Sequence, residues 1–464
     1  MSRVLISVVQ RQAQPMKCGG VKLHDVALAT QGRTMEGAAP GCTPRTEAKM
    51  NILIASVDAL PRMGGVSMMS HSLASAFEAL GSRVYFLGPK GTVVPVDYEQ
   101  SYWLIEDIAS NVRARSGPES QAEDRRIECL VDKIIRRYEI DAIINMHPFY
   151  YAPGTVSAAR RARKWVGTYF HGFEYKSQVH AHGCRSHYDS NDGLSLGARM
   201  LDVARRSSAV LVNSNYTKEL LSEVRDEHDI RVTGCGVDGA LLGRAACLDS
   251  PAMTPSSGKS LSVNLVPDSL TRSESPCEEP GRYMTTLGFV GRLVKHKRVD
   301  RVLRITATHS RFRAVIIGDG PEEDSLRKMA RDLSIENRVH WCGRVTEEEK
   351  LERLRECDFV LLLSEEVQET GHVEGFGIAL LEGIACGAVP VTSGSGGMRD
   401  IVRSEAYGVE LSGDVGADGL RLLKVARSRE ELQFRLENAQ RLVRDEYNWM
   451  SVASVIMRTI EGRG

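Results

Sequence analysis

The sequence contains no Cys-x-x-Cys pair; its ten cysteines are scattered. That spacing argues against both a disulfide framework and a zinc ribbon, and a reducing cytosol is the simplest setting. No run of about 18 or more apolar residues occurs, so no segment reads as a transmembrane helix. Peripheral contact with the inner face of a membrane stays open. An excess of one charge is also missing: 60 lysines and arginines balance 60 aspartates and glutamates. Dedicated nucleic-acid binders are usually strongly basic, so nucleic acid is not the expected partner. Small anionic ligands are not excluded. The first 49 residues lack a sustained period and lack the long apolar core of a signal peptide. They read as a disordered extension. The alternative is translation from Met50, because "MNILIASV" begins like a fresh first strand.

The 464 residues, 42% hydrophobic, suffice for at least two domains of roughly 100–200 residues each. From Met50 onward, short apolar runs alternate with helical segments. The runs are "NILIASV", "RVYFLG", "DAIINM", "WVGTYF" and "AVLVN". Helices are expected from about Met68 to Leu80 and across "EDRRIECLVDKIIRRYE". Continuous apolar runs suit parallel strands buried on both faces, and the alternation implies βαβ units in a doubly wound sheet. Residues 50–244 are therefore read as a first Rossmann-like domain. Residues 245–283, rich in Ser, Pro and charge, read as a linker or flexible insertion. A second series fills 284–445, with strands "TTLGFV", "RAVIIG", "RVHWCG", "DFVLLL" and "AVPVTS". Its helices are expected at about 299–309, 321–333, 346–356 and 377–386. Within 446–464, "NWMSVASVIMRTI" reads as a terminal amphipathic helix, with a return to the first domain as one option. The fold class is α/β: two doubly wound domains facing across a cleft, where open sheets bind ligands at their strand ends.

Three stretches carry candidate chemistry. "GFVGRLVKHKRVD" places Arg292 and Lys297 just past a strand. Two cations there suit a diphosphate, which an arginine fork and a lysine point charge both bind; a solvated basic loop is the competing reading. "IIGDGPEE" offers Gly318 and Gly320, but Glu323 stands where a dinucleotide fingerprint needs its third glycine. A tight strand-to-helix turn fits it better than an NAD site. "EGFGIALLEGIACGAVPV" carries Glu374 and Glu382 around Gly375, Phe376 and Gly377. Small residues before a helix let backbone N–H groups approach an anion, which the helix dipole also favours. Were the spacing wholly helical, the two carboxylates would lie up to roughly 12 Å apart along the axis. That is about the reach from ribose to sugar across a diphosphate. Carboxylates accept hydrogen bonds from vicinal hydroxyls, while amides and cations neutralise the phosphates between.

With these motifs in this order, the chain resembles glycosyltransferase family four, retaining enzymes of the GT-B class. The matching segments are "GRLVKHK", "IIGDGPEEDSLRKMA", "RVHWCGRVTEEEK", "EGFGIALLEGIACGAVPVTSGSGG" and the E-x7-E pair. The likeness is strong from Thr285 to Leu411 and weak from Asn51 to Asp238. It implies a nucleotide-sugar donor, UDP-, GDP- or ADP-linked, held mainly by the second domain. Arg292 and Lys297 would then contact the diphosphate and Glu382 the ribose. Glu374 would face the transferred sugar beside the amides of Phe376 and Gly377. The family commonly has glycine where this chain has Arg298, so the helix start there is expected to differ. "MGGVS" matches the glycine loop after the first strand, so Gly64 and Gly65 would approach the donor phosphate or the acceptor. "TYFHGFE" resembles the segment that brings a histidine, here His171, near the reacting carbon. "VNSNYTKELL" and "GCGVD" match the last part of that domain. His171 and Glu374 are thus the catalytic candidates, Glu374 as a sugar-binding carboxylate rather than a covalent catalyst. The resemblance further implies retention, no metal or other cofactor, and a saccharide, lipid-linked or small-molecule acceptor. A GT-B-like protein without transfer activity, serving as a sugar-binding or scaffold subunit, is the alternative.

Other signals carry less. "HAHGCRSH", from His180 to His187, has no second ligand group to make it a zinc site. "AARRARKW" from Ala158 and "IIRRYE" from Ile134 are basic patches whose default is a solvated helix face; contact with anionic lipid is the other reading. Glu365, Glu366 and Glu369 are expected to shape a loop. Removal of residues 1–49 should leave folding and donor binding intact; loss of soluble protein on truncation would show that the extension is structural.

Overall fold

The computed structural model describes residues 30–31, 49–58, 65–93, 102–107, 118–172, 196–238, 284–367 and 372–462. Gly64, the run from His180 to His187, Glu369, the expected linker 245–283 and most of 1–49 lie outside the described residues. The chain forms two compact units. One comprises Met1–Tyr169 with His187–Val210, the other Phe170–Ser186 with Leu211–Gly464. These limits differ from the expected domain boundary near residue 244.

The first sheet collects β1 (Thr30–Gln31), β2 (Asn51–Ala55), β3 (Arg83–Pro89), β4 (Trp103–Asp107), β5 (Ala142–Asn145), β6 (Trp165–Phe170), β7 (Ala209–Val212) and β8 (Ile230–Val232), in the order β1-β4-β3-β2-β5-β6-β7-β8. Pairings among β2 to β6 are parallel and β1 runs antiparallel to β4. Helices α1 (Gly65–Ala79), α2 (Pro118–Tyr138), α3 (Ala152–Arg161), α4 (Leu196–Arg206) and α5 (Asn215–Leu221) alternate with the strands. Strand β5, "AIIN", is buried throughout, as a central strand covered on both faces must be. Strand β4, "WLIED", was not singled out in the sequence, although a short apolar run from Tyr102 to Ile105 fills it. Its carboxyl end is held by Arg126 on α2, which forks onto buried Asp107 at 2.9 and 2.7 Å, a partner that only the tertiary structure supplies.

The second sheet comprises β9 (Thr285–Val290), β10 (Phe312–Ile317), β11 (Val339–Gly343), β12 (Phe359–Leu362), β13 (Val389–Thr392) and β14 (Val409–Glu410). All neighbours are parallel, in the order β11-β10-β9-β12-β13-β14. Helices α6 (Val299–Thr308), α7 (Glu323–Asp332), α8 (Glu347–Arg355) and α9 (Ile378–Cys386) lie within one or two residues of their expected limits. Helices α10 (Val415–Arg427) and α11 (Arg429–Asp445) had no counterpart in the sequence reading. The terminal helix α12 (Trp449–Ile460) belongs to the second unit, where Asn448 bridges to Val237 and Trp449 packs on Gly236.

Strand order reverses between β9 and β12, and such a switch point opens a crevice at the strand carboxyl ends. Helix α9 sits tightly over β12: a methyl group added at Gly383 would stand 2.3 Å from Val360 Cγ1. Gly383→Ala should therefore destabilise the second unit by about 1–3 kcal/mol, read from urea denaturation. An unchanged midpoint would contradict this close approach.

Candidate functional site

Three loops leave the carboxyl ends of β9, β12 and β13. The first carries Arg292 and ends in a 3₁₀ turn, Lys295–Lys297. The second carries Ser364, Glu365 and Glu374–Gly377; the third contains Gly394–Gly397. Lys297, from the first, forms a direct ion pair with Glu374 Oε2 from the second. Ser364 Oγ lies 3.4 Å from the same oxygen, and no described residue donates to Glu374 Oε1. The two side chains are only 19% and 14% exposed. Burial would raise the Glu374 carboxyl, but the Lys297 ammonium and its hydrogen bond, with smaller help from His296 and Ser364, hold it below the usual value. His296 stacks on His372 with ring centres 5.6 Å apart. Burial, with Lys297 beside it, lowers His296 to about 4, so its imidazole is neutral at pH 7.

The departure expected at Arg298 has a clear form. Its backbone is left-handed, φ 51° and ψ 43°, a conformation glycine adopts freely and other residues at a cost of about 1–2 kcal/mol. Ion pairs offset that cost. Arg298 bonds Asp300 at 3.0 and 3.1 Å and also pairs with Glu365. Glu365 takes Arg301 as well, at 2.9 Å, and buried Arg301 reaches Asp418 at 3.4 Å. Glu365 thus braces the loop after β12 against the start of α6, the loop-shaping role expected of it.

The glycine loop is built by backbone contact. A methyl group at Gly375 would meet the His171 carbonyl oxygen at 1.9 Å, and one at Gly397 would meet the Gly375 carbonyl oxygen at 2.0 Å. Phe376 turns its ring inward, edge-on to Tyr447 at 5.2 Å, and is 2% exposed. Gly377 caps α9 with φ 105°. The amides of Phe376 and Gly377 donate to no described residue. His171, 7% exposed, lies with its backbone on this loop. Asn213 approaches it too, its amide nitrogen 3.3 Å from where a Gly375 methyl would be.

Glu382 lies on α9, but its partner is not among the residues singled out in the sequence. Lys350 on α8 bonds Glu382 Oε1 at 2.9 Å and Glu347 Oε2 at 2.7 Å. Burial raises the Glu382 carboxyl above its usual value, an effect Lys350 opposes and Glu347 adds to. Helix α9 begins only at Ile378, so Glu374 precedes it, and helical rise covers just part of the spacing between the two carboxylates.

The remaining candidates are placed as follows. Arg292 is exposed and, among the described residues, makes no ion pair. Gly65 opens α1 in the first unit. Gly318 and Gly320 let the chain pack against Gly291 and Leu293, which accounts for both glycines as a tight turn. Of the basic patches, the one from Ala158 is partly paired, Arg161 with Glu128 and Asp132, Lys164 with Asp141, and Arg160 with the Arg206 carbonyl, whereas Arg136 and Arg137 of the other are exposed. No group of three metal-ligating side chains occurs among the described residues. No described helix is long and apolar enough to cross a membrane. Sequence reasoning singled out none of Lys350, Ser364, Arg301, Asp418 and Asn213, although Lys350 and Asn213 lie within the matching segments "RVHWCGRVTEEEK" and "VNSNYTKELL". Each meets a residue distant in the chain, which no local pattern specifies.

Lys297→Met should lower stability at pH 7 by about 1–3 kcal/mol, the cost of leaving a nearly buried charged acceptor without its partner. Glu374 titrates lower folded than unfolded. The pair therefore stabilises at neutral pH, and that gain is lost as pH falls through and below the ordinary carboxylate range. The gap between wild type and variant should narrow on acidification in urea titrations; a gap independent of pH would sink the assignment.

Comparison with known proteins follows the same lines. Residues 284–414 match Glycosyl transferases group 1, and residues 63–240 match Glycosyltransferase Family 4. N-acetyl-alpha-D-glucosaminyl L-malate synthase of Bacillus anthracis is 33% identical over 112 residues, 24% of this chain and 27% of that protein. Glycogen synthase of Mycobacterium tuberculosis is 28% identical over 171 residues, 36% and 40% of the two chains. The matched segments thus span well under half of these relatives. Among solved structures, Anabaena HepE in complex with UDP superposes with a TM-score of 0.62 at 15% identity, over 89% of this chain and 100% of that one. Sucrose-phosphate synthase of Thermosynechococcus elongatus gives 0.63 at 15% identity, over 89% and 99%. At such identity the likeness is one of fold, and that fold is GT-B.

Proposed function

The chain belongs to glycosyltransferase family 4, and from that premise we propose that it moves a sugar from a nucleotide-sugar donor to a saccharide, lipid-linked or small-molecule acceptor. The observation that carries this reading is the Lys297–Glu374 pair at the switch point, beside a glycine loop whose Phe376 and Gly377 amides donate to no described residue. Cleaving the bond from the anomeric carbon to phosphate leaves positive charge on the sugar and negative charge on the departing diphosphate. Arg292, Lys297 and the amides of Phe376 and Gly377 would stabilise the latter. Glu374 would accept hydrogen bonds from the sugar hydroxyls through its open oxygen, and Glu382 from the ribose. His171, backed onto the same loop, would stand near the reacting carbon. Gly64 and Gly65 would approach the donor phosphate or the acceptor. Retention of configuration is the outcome the family leads us to expect, and the chemistry as drawn calls for no metal. Complexes of HepE with UDP and with UDP-glucose, and GDP-mannose-dependent relatives, support a nucleotide sugar as donor. Peripheral membrane contact has less support, since one of the two basic patches is partly paired within the fold.

Thermal shift with UDP, GDP, ADP and NADH tests the class. Stabilisation by one nucleoside diphosphate is expected, and a hydrolysis screen of matching nucleotide sugars would then identify the donor. No response to any diphosphate would favour the inactive sugar-binding or scaffold alternative, and protection by NADH alone would point to an oxidoreductase. Glu382→Ala should weaken diphosphate binding about tenfold or more, because a hydrogen bond to a charged acceptor contributes about 1.5–3 kcal/mol. Unchanged affinity in calorimetry would remove Glu382 from the site.

A further inference from the structure

Lys350 has no place in the reading above, yet it is the residue that holds Glu382. It lies on α8, one turn past Glu347. Its ammonium sits 2.9 Å from Glu382 Oε1 and 2.7 Å from Glu347 Oε2. Lys350 and Glu382 are 13% and 19% exposed, whereas Glu347 is 48% exposed. Two apolar side chains would join α8 to α9 at least as well, because desolvating a charge pair costs about what the pair returns. A buried lysine at this seam makes sense if the carboxylate itself is needed. The geometry of that carboxylate is one-sided: Lys350 occupies Oε1, and no described residue donates to Oε2.

We propose that Lys350 is a positioning residue of the nucleotide site: its ammonium anchors Oε1 of Glu382 and so presents Oε2 to the ribose diol of the donor. This rests on Glu382 being the ribose carboxylate. The groups facing Glu382 define what happens without the lysine. Glu347 on α8 is acidic, Cys386 lies one turn along α9, and Gln440 from α11 meets α9 as a neutral amide at the Ile384 carbonyl. Lys350 is the one cation among them. Removing it leaves burial and Glu347, and both favour the protonated acid. A protonated carboxyl is a poorer acceptor for two hydroxyls and rotates without its anchor.

The test compares ligands within each variant, so a general loss of stability cancels. Calorimetry gives the affinity of the diphosphate that binds (UDP, GDP or ADP) and of its 2′,3′-dideoxy analogue, for wild type, Glu382→Gln, Lys350→Met and Lys350→Arg. Wild type should prefer the ribonucleotide, and Glu382→Gln should lose most of that preference. Lys350→Met should lose at least fivefold of it, the loss shrinking as pH rises and the carboxyl ionises more fully; Lys350→Arg should retain it. Lys350→Gln carries the same comparison should Lys350→Met fail to fold. If Glu382→Gln loses the preference and Lys350→Met keeps or increases it, the role of Lys350 is overturned while the nucleotide site stands. If Glu382→Gln keeps the preference, or no diphosphate binds the wild type, the ribose role of Glu382 falls and this inference with it.

Discussion

A nearly buried carboxylate beside a nearly buried ammonium is the constraint around which the strand ends of the second unit are arranged. Neither Glu374 nor Lys297 would tolerate its position alone, since an unpaired charge so far from water costs several kcal/mol. The pairing demands that the loops after β9 and β12 meet, and they meet because the strand order reverses between those two strands. The other features of the site serve that meeting. Arg298 accepts a left-handed backbone to turn the chain into α6, and Glu365 ties it to the second loop. Gly375 and Gly397 allow backbones to touch where any side chain would separate them. The buried Phe376 ring anchors the loop against Tyr447.

The same principle recurs at Glu382. Each carboxylate of the E-x7-E pair comes with its own lysine, one supplied by the loop after β9 and one by α8. In both, one oxygen is engaged and the other accepts nothing from the described residues. Each carboxylate thus has a lysine beside it while its second oxygen remains an oriented acceptor. The exposed Arg292 differs: with no described partner, its charge is available to an anion.

In the first unit, charges are placed for stability. Arg126 with Asp107 secures the carboxyl end of β4, and Arg161 with Glu128 and Asp132 ties α3 to α2. The Arg161 pairs partly neutralise what reads in the chain as a basic surface on α3. The physical difference between a solvated patch and a docking patch lies in those partners.

The parallel strands were legible because strands buried on both faces must be continuously apolar, as in "TTLGFV" and "DFVLLL". Helices α6 to α9 were legible because they fill the intervals such strands leave. The order of motifs pointed to the family, and the types of residue at 292, 297, 374 and 382 pointed to a ligand combining phosphate with hydroxyls. The anchoring of strand β4, the role of Lys350 and the meaning of Arg298 were not legible. Each depends on a partner 19 to 67 residues away along the chain, and no local period records which distant charge a side chain will find. Residue chemistry was thus determined by the sequence, while the pairing of those charges was decided only when parallel strands brought distant loops to one edge, because a buried charge is stable only beside its counter-ion.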